Sequence, residues 1–323
     1  MTCVEPKGIS RWKKWGRRAA ITLAWVFTAL GLIVWRWGWW APAEYTPGMV
    51  PLAAIAIDTS IHDPRVSRLG GDDAYILHIE TQRPGSKPGA LLFFGSLHTK
   101  DTAHPQLSAL LRAWEEFQPT VALVEGRMGF FVGTATQGVG IFGEGAVVYA
   151  CAEDAGIPIY TLEPPLAVEI DALGTIGDRT QVAMFRVLSG YMSARRGGPV
   201  SDFKIGRLLS KRAAPLTDGL PTIEALDAEF ARLVPEYDGW RNMPEEAMWP
   251  GRTDTWLNLM ATRGNEVRDE HFVRVMLDLV EHGERVLAIA GRSHTVVLEP
   301  VLWESMQPAE RGALSSARPW EDN

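Results

Sequence analysis

Cysteine is scarce in this chain: Cys3 and Cys151 are the two in 323 residues. An uncharged segment between them reads as a membrane span, which would put them on opposite sides and prevent pairing. The outer part is therefore expected to fold without disulfides, and roughly 260 residues suffice to bury a core unaided. Positive charge is the second shortage. The formal net charge is −7, yet residues 1–18 carry +5 and Arg36 adds one, which leaves −13 to the remainder. So acidic a body excludes nucleic acid as a partner, because phosphate binding needs basic patches. With 46% hydrophobic and 22% charged residues, the chain has the balance of a folded, enzyme-sized domain.

Residues Ala19 to Trp35 run without a charge, near the lower limit of about 17 residues for crossing a bilayer. Trp35, Trp37, Trp39 and Trp40 crowd the far end, where amphipathic rings settle at the lipid–water interface. Lys7, Arg11, Lys13, Lys14, Arg17 and Arg18 precede the run, against Glu5 alone. A basic flank stays in the cytoplasm, so the expectation is a single-pass anchor in the inner membrane with the C-terminal domain outside the cytoplasm. A cleaved signal peptide, with Ala41-Pro42-Ala43 as its small-residue site, is the alternative; Arg36 and the Trp cluster fit it poorly.

The organisation expected is a basic tail (1–18), the anchor (19–35), a Pro/Trp-rich linker (36–50), a domain (51–306) and a disordered tail (307–323). Tyr75 to Glu80 alternates as a strand does, and Leu91 to Phe94, Thr120 to Val124, Pro158 to Leu162 and Arg285 to Ala290 are short apolar runs. Helical spacing marks His104 to Gln118, Gly145 to Ala155, Thr255 to Glu281 and a last helix to about Met306. From Asp178 to about Val234 the patterns are helical alone, which defines an insert over about 178–250. Strands alternating with helices predict an α/β fold with a largely parallel or mixed sheet flanked by helices. Trp240, Met243, Met248 and Trp249 suggest that the insert covers the strand ends as a lid.

The ends of the apolar strands carry the chemistry. One runs into Gly95-Ser-Leu-His98-Thr99 and another into Gly291-Arg-Ser-His294-Thr295; two more end in Glu125 and Glu163. In a parallel sheet, ligands bind at the carboxyl ends of the strands, so two histidines and two carboxylates should converge there. Imidazole and carboxylate together suit a divalent metal with an open position. Asp101 reads either as a further ligand or as a helix cap, and His104 as a less favoured ligand. On the helix Thr255 to Glu281, Arg268 and Asn265 share the apolar face with Phe272, Val275, Met276 and Leu279, within about 100° of one another. An inward guanidinium needs a carboxylate or an anionic substrate group as partner. His271 lies at the margin of that face, and His282 sits where a histidine caps helix carbonyls.

In their order, Gly95 to His98, Glu125, Arg268 and Gly291 to His294 resemble the TraB/TIKI superfamily, with its GumN-like proteins and, more distantly, the erythromycin esterases and ChaN haem-binding proteins. The resemblance spans roughly residues 75–306. It implies a metal-dependent hydrolase, a metalloprotease with manganese, cobalt or zinc, acting on a peptide or small-molecule substrate. On that reading His98, Glu125 and His294, with Asp101 as a further candidate, hold the metal. Glu163 is the general base or a fourth ligand, and Arg268 steadies an oxyanion or a substrate carboxylate. The anchor lies at the N-terminus here, whereas TIKI proteins carry theirs at the C-terminus, and the helical insert is this chain's own. A metal-free esterase or lactonase with His98 as base, and a non-catalytic haem-binding or scaffold protein, are the rival expectations.

Overall fold

The computed structural model describes residues 20–28, 31, 38–48, 57, 74–81, 88–196 and 198–306. The expected basic tail and C-terminal tail lie outside these residues, as do residues 36, 37, 49 and 50 of the expected linker. So does part of the expected anchor, of which residues 20–28 and 31 are helical. Among the described residues, no helix is long and apolar enough to cross a membrane.

Eight strands are described: β1 (Gly38–Trp39), β2 (Ala43–Glu44), β3 (Tyr75–Glu80), β4 (Ala90–Ser96), β5 (Val121–Val124), β6 (Phe131–Val132), β7 (Ile159–Thr161) and β8 (Arg285–Gly291). Six form one mixed sheet in the order β2-β7-β5-β8-β4-β3. Every pairing in it is parallel except β3 with β4. The helices that flank or cap it are α1 (Pro105–Phe117), α2 (Ala135–Phe142), α3 (Gly145–Ala155), α4 (Leu166–Leu173), α5 (Arg179–Arg195), α6 (Asp202–Leu208), α7 (Ile223–Leu233), α8 (Trp256–Glu281) and α9 (Arg292–Met306).

The central strands read as unbroken apolar runs because both sheet faces are covered. Leu91, Phe93, Val121, Leu123, Val286 and Ala288 face one core, built with Phe272 to Val280 of α8 and with α9. Leu92, Phe94, Ala122, Val124, Leu287 and Ile289 face the other, built with α1 and α3. β3, at the edge, buries alternate residues and leaves His78 and Glu80 exposed, as its alternation predicts.

The insert has a core of its own around Val187, Leu188, Leu226, Phe230, Trp240 and Met243. Asp178 opens α5 with a reciprocal capping box to Gln181, and Thr255 caps α8 through the Asn258 amide. At 26 residues, α8 is about 39 Å long and joins the two cores. Leu257 and Met260 pack into the insert, whereas Phe272 to Val280 pack on the sheet. Arg268 and Asp269 fall between them, at the carboxyl edge of the sheet.

The expected linker differs from a free tether. β1 pairs with β6, and β2 adds a parallel edge strand beside β7. The Trp40 amide donates to the Tyr149 hydroxyl (2.8 Å), and the Tyr45 hydroxyl donates to Asp278 (2.6 Å). Aromatic and hydroxyl groups in this stretch find partners on the domain, so residues 38–48 belong to it.

Candidate functional site

β4 and β8 are adjacent and parallel, with Gly95 opposite Ala290 and Ser96 opposite Gly291. This brings the two Gly-x-x-His segments to one edge, although they leave their strands differently. Arg292 already begins α9, so His294 lies in a helical first turn. After β4 the chain makes an open turn, and a helix resumes only at Pro105, the residue suited to a first helical position. His98 therefore projects from a loop and is exposed, whereas His294 is buried.

Glu125, immediately after β5, lies between the two rings. Its Oε2 is 3.7 Å from His98 Nε2, and its Oε1 is 3.7 Å from His294 Nε2. The Gly291 amide donates to Oε2 (2.7 Å), and Arg268 Nη2 donates to Oε1 (2.7 Å). Burial alone would raise the Glu125 pKa; the charges of His294, Arg268 and His98, with the Gly291 amide, outweigh it and hold the group well below the usual carboxylate range.

Each ring is held from behind by a further carboxylate. His98 donates Nδ1–H to Glu144 Oε1 (2.9 Å), and His294 donates Nδ1–H to Asp269 Oδ1 (2.5 Å). Glu144 also accepts from Ser96 Oγ (2.7 Å) and from the Thr99 amide (3.2 Å). The hydrogen bond His98 donates to Glu144 raises the His98 pKa to about 9, against desolvation, with Glu125 adding to the rise. For His294, burial works downward, but the charge and hydrogen bond of Asp269 prevail and the pKa rises.

Arg268 answers the sequence expectation that an inward guanidinium needs partners. Nε donates to Glu163 Oε2 (2.9 Å), and Nη2 is shared between Glu163 Oε1 (2.8 Å) and Glu125. Glu163 Oε1 also accepts from the Gly126 amide (3.0 Å). Both Glu163 oxygens are thus engaged, and the carboxylate holds Arg268 in place. Asp101 lies in the loop between β4 and α1. It is exposed and accepts from the Ala103 amide (2.9 Å), a local turn contact of the capping kind. His104 caps α1 through the Gln106 amide. His271 is half-buried, and its buried Nε2 has no hydrogen-bond partner among the described residues, while His282 meets the Asp278 carbonyl (2.6 Å).

Two carboxylates escaped the sequence reading. Asp269 follows Asn265 by four positions, about 40° around the helix, and was legible as another inward polar residue. Glu144 had no periodic signal. It stands between Gly143 and Gly145, where Gly143 (φ 78°) turns the chain from α2 into α3, a conformation that favours glycine.

Among the described residues, no group of three or more His, Cys, Asp or Glu side chains is arranged around a metal position. The donor chemistry nevertheless fits a divalent ion. With both Nδ1–H groups given to carboxylates, rings that lost their second proton to a bound cation would turn their Nε2 lone pairs toward Glu125.

A cavity of about 530 Å³ adjoins this cluster, with Gly126, Glu163 and Arg268 in its wall. Residues of α5 and the segment Met248 to Pro250 form much of the opposite wall. The insert therefore lies over the carboxyl ends of β5 and β7. Met248 and Trp249 line the cavity, while Trp240 and Met243 are buried in the insert's own core. No family model, curated protein or solved structure matches this chain.

Proposed function

We propose that this chain is a metal-dependent hydrolase, a peptidase of the TraB/TIKI kind, anchored in the inner membrane by its N-terminal segment with the domain outside the cytoplasm. The observation that carries the reading is the convergence of His98, Glu125, Arg268 and His294 on one sheet edge beside a cavity. Electrostatics support it further. The cluster holds four carboxylates, Glu125, Glu144, Glu163 and Asp269, and one guanidinium, Arg268, so with neutral imidazoles it has a surplus of negative charge. Two protons on the rings reduce that surplus, and a divalent cation would do the same while displacing them.

His98 Nε2, His294 Nε2 and Glu125 would hold manganese, cobalt or zinc. When bound, such an ion supplies Lewis acidity and a water acidic enough to ionise near neutral pH. Glu144 and Asp269 fix the tautomer and aim of the two rings. Glu163 keeps Arg268 against Glu125, and Arg268 places a positive charge at the cavity wall, where a substrate oxygen gaining negative charge would be stabilised.

A metal-free esterase with His98 as base is the second reading, favoured by the pairing of the exposed His98 ring with the buried Glu144. Its weakness is the ring's pKa of about 9, which leaves the ring protonated at neutral pH and poor at accepting a proton.

The test is metal content and hydrolysis by the purified full chain, over a panel of peptides and esters, with and without chelator. His98→Ala and His294→Ala are expected to lose metal and activity together. Wild-type hydrolysis that survives complete metal removal would overturn the metal-dependent reading and favour the esterase.

A further inference from the structure

Five arginines and three glutamates line the cavity beside the site, in a domain whose sequence is otherwise acidic. Each glutamate has one arginine partner: Glu163 pairs with Arg268 (2.8 Å), Glu169 with Arg127 (3.3 Å) and Glu245 with Arg196 (3.8 Å). Arg186 and Arg212 remain. Among the described residues, neither forms an ion pair with a carboxylate. Burial lowers both guanidinium pKa values, with Glu169 partly opposing it.

These two side chains are built into place. Arg186 Nη1 donates to the Arg212 carbonyl (3.2 Å), and Arg212 Nη1 donates to the Arg186 carbonyl (2.9 Å). The reciprocal bonds fix the pair while using one of the five N–H donors of each guanidinium. Arg212 is carried on a π-helical turn, Leu209–Ala213, a rare geometry that is frequent at functional sites. Gly190, inside α5, makes room for Leu208 and for Arg212: a Cβ there would lie 2.8 Å from Leu208 Cδ2, 3.0 Å from Arg212 Cζ and 3.1 Å from its Nη1. A helix interior is weakened by glycine, so its place here is explained by the two side chains it admits, one of them this guanidinium.

We propose that Arg186 and Arg212 form an anion seat in this cavity, which takes the carboxylate or phosphate group of a small substrate. The term substrate rests on the hydrolase reading, whereas the seat rests on its own geometry. The volume, about 530 Å³, suits a molecule the size of a short peptide, within the range of about 300–1,000 Å³ usual for small-ligand pockets. Arg268 and Glu163 border both the cavity and the His98–His294 cluster, so a group held on the arginines leaves the rest of the molecule in the cavity whose wall the cluster shares. Phe185, Leu166 and Trp249 supply apolar wall for that remainder.

The experiment is calorimetric titration of the full chain in detergent with N-acetylphenylalanine, its neutral amide and inorganic phosphate. At least one anion is expected to bind, with the amide roughly tenfold or more weaker, the scale of one lost charge-assisted hydrogen bond. Arg186→Gln and Arg212→Gln should each weaken the anion by a similar factor and leave the amide unchanged. Binding of N-acetylphenylalanine alone identifies a carboxylate substrate, and binding of phosphate alone a phosphorylated one. Equal binding of acid and amide, no binding of either anion, or full affinity in the arginine variants would overturn the proposal. If a glutamine variant does not fold, the acid-against-amide comparison on the wild type decides. Anion binding by protein that hydrolyses nothing would sink the hydrolase reading and leave the seat. Chelator-sensitive hydrolysis without discrimination between acid and amide would do the reverse.

Discussion

Glu144 and Asp269 do for the two histidines what neither Gly-x-x-His segment does alone: they fix which nitrogen faces Glu125. A carboxylate behind an imidazole also raises its pKa, and this gives a pH signature. The His98 pKa moves from 6.5 to about 9, first through its hydrogen bond to Glu144. A raised pKa stabilises the folded state fully below the ordinary value of 6.5, and that contribution disappears as pH rises through about 9. In the presence of chelator, the wild type should therefore lose stability relative to His98→Gln between these two pH values, measured by urea unfolding. Parallel pH profiles would show that the pair contributes nothing. In metal-loaded protein, Glu144→Gln should reduce metal affinity by about 10–100-fold, the usual effect of removing a hydrogen-bond partner behind a ligand. Competition with a chromogenic chelator would read it. Both histidines, Glu125 and Arg268 were legible as residues because each interrupts an apolar pattern at a strand end or on a helix face. Their partners were less so, since Glu144 has no pattern to interrupt.

At the scale of elements, β4 and β8 form the seam on which the site depends, and two glycines mark it. A Cβ on Gly95 would stand 2.8 Å from the Tyr75 carbonyl oxygen and 2.9 Å from Arg292 Cα, both backbone atoms with little freedom to move. Gly95→Ala should therefore destabilise the fold by about 1–3 kcal/mol, as overpacking does, with a corresponding fall in the thermal midpoint. At Gly291 the first neighbour is His98 Nε2, at 3.0 Å. The exposed His98 ring can shift, so Gly291→Ala should leave stability nearly intact while lowering metal affinity and activity. Equal destabilisation by the two substitutions would contradict this division. Most strands and long helices were readable because period and burial agree in them: the expected 75–80 and 145–155 match β3 and α3 residue for residue. α2 was not, because its sequence holds two glycines and no charged residue to define a polar face. α4 follows directly on Pro164-Pro165, and β1, β2 and β6 are two residues each, too short for any period.

Across the whole molecule, the sheet domain and the insert keep separate cores, and α8 and the cavity lie where they meet. The N-terminal helical segment belongs to neither core. Its large apolar side chains are exposed, with Trp25 at 71% and Phe27 at 68%, and Ile21, Leu23 and Val26 are open beside them. Five such side chains in a row of seven positions would be costly in water, and a bilayer would remove that cost. Direction follows from charge. The six basic residues before the segment should remain cytoplasmic, because the positive-inside bias is counted close to the ends of a span. The acidic domain would then be carried across, which matches a body that contains Cys151 as its one cysteine and needs no oxidative pairing. A reporter active only outside the cytoplasm, fused after Asn323, should therefore give signal, and a reporter active only inside should give none. Replacing Lys13, Lys14, Arg17 and Arg18 by glutamine should weaken that orientation and divide the signal between the two reporters. A C-terminus found in the cytoplasm of the unaltered chain would defeat the topology. Mature protein beginning near Glu44 would instead show that the segment is cleaved, and since β2 begins at Ala43, the cut would fall at the edge of the sheet itself.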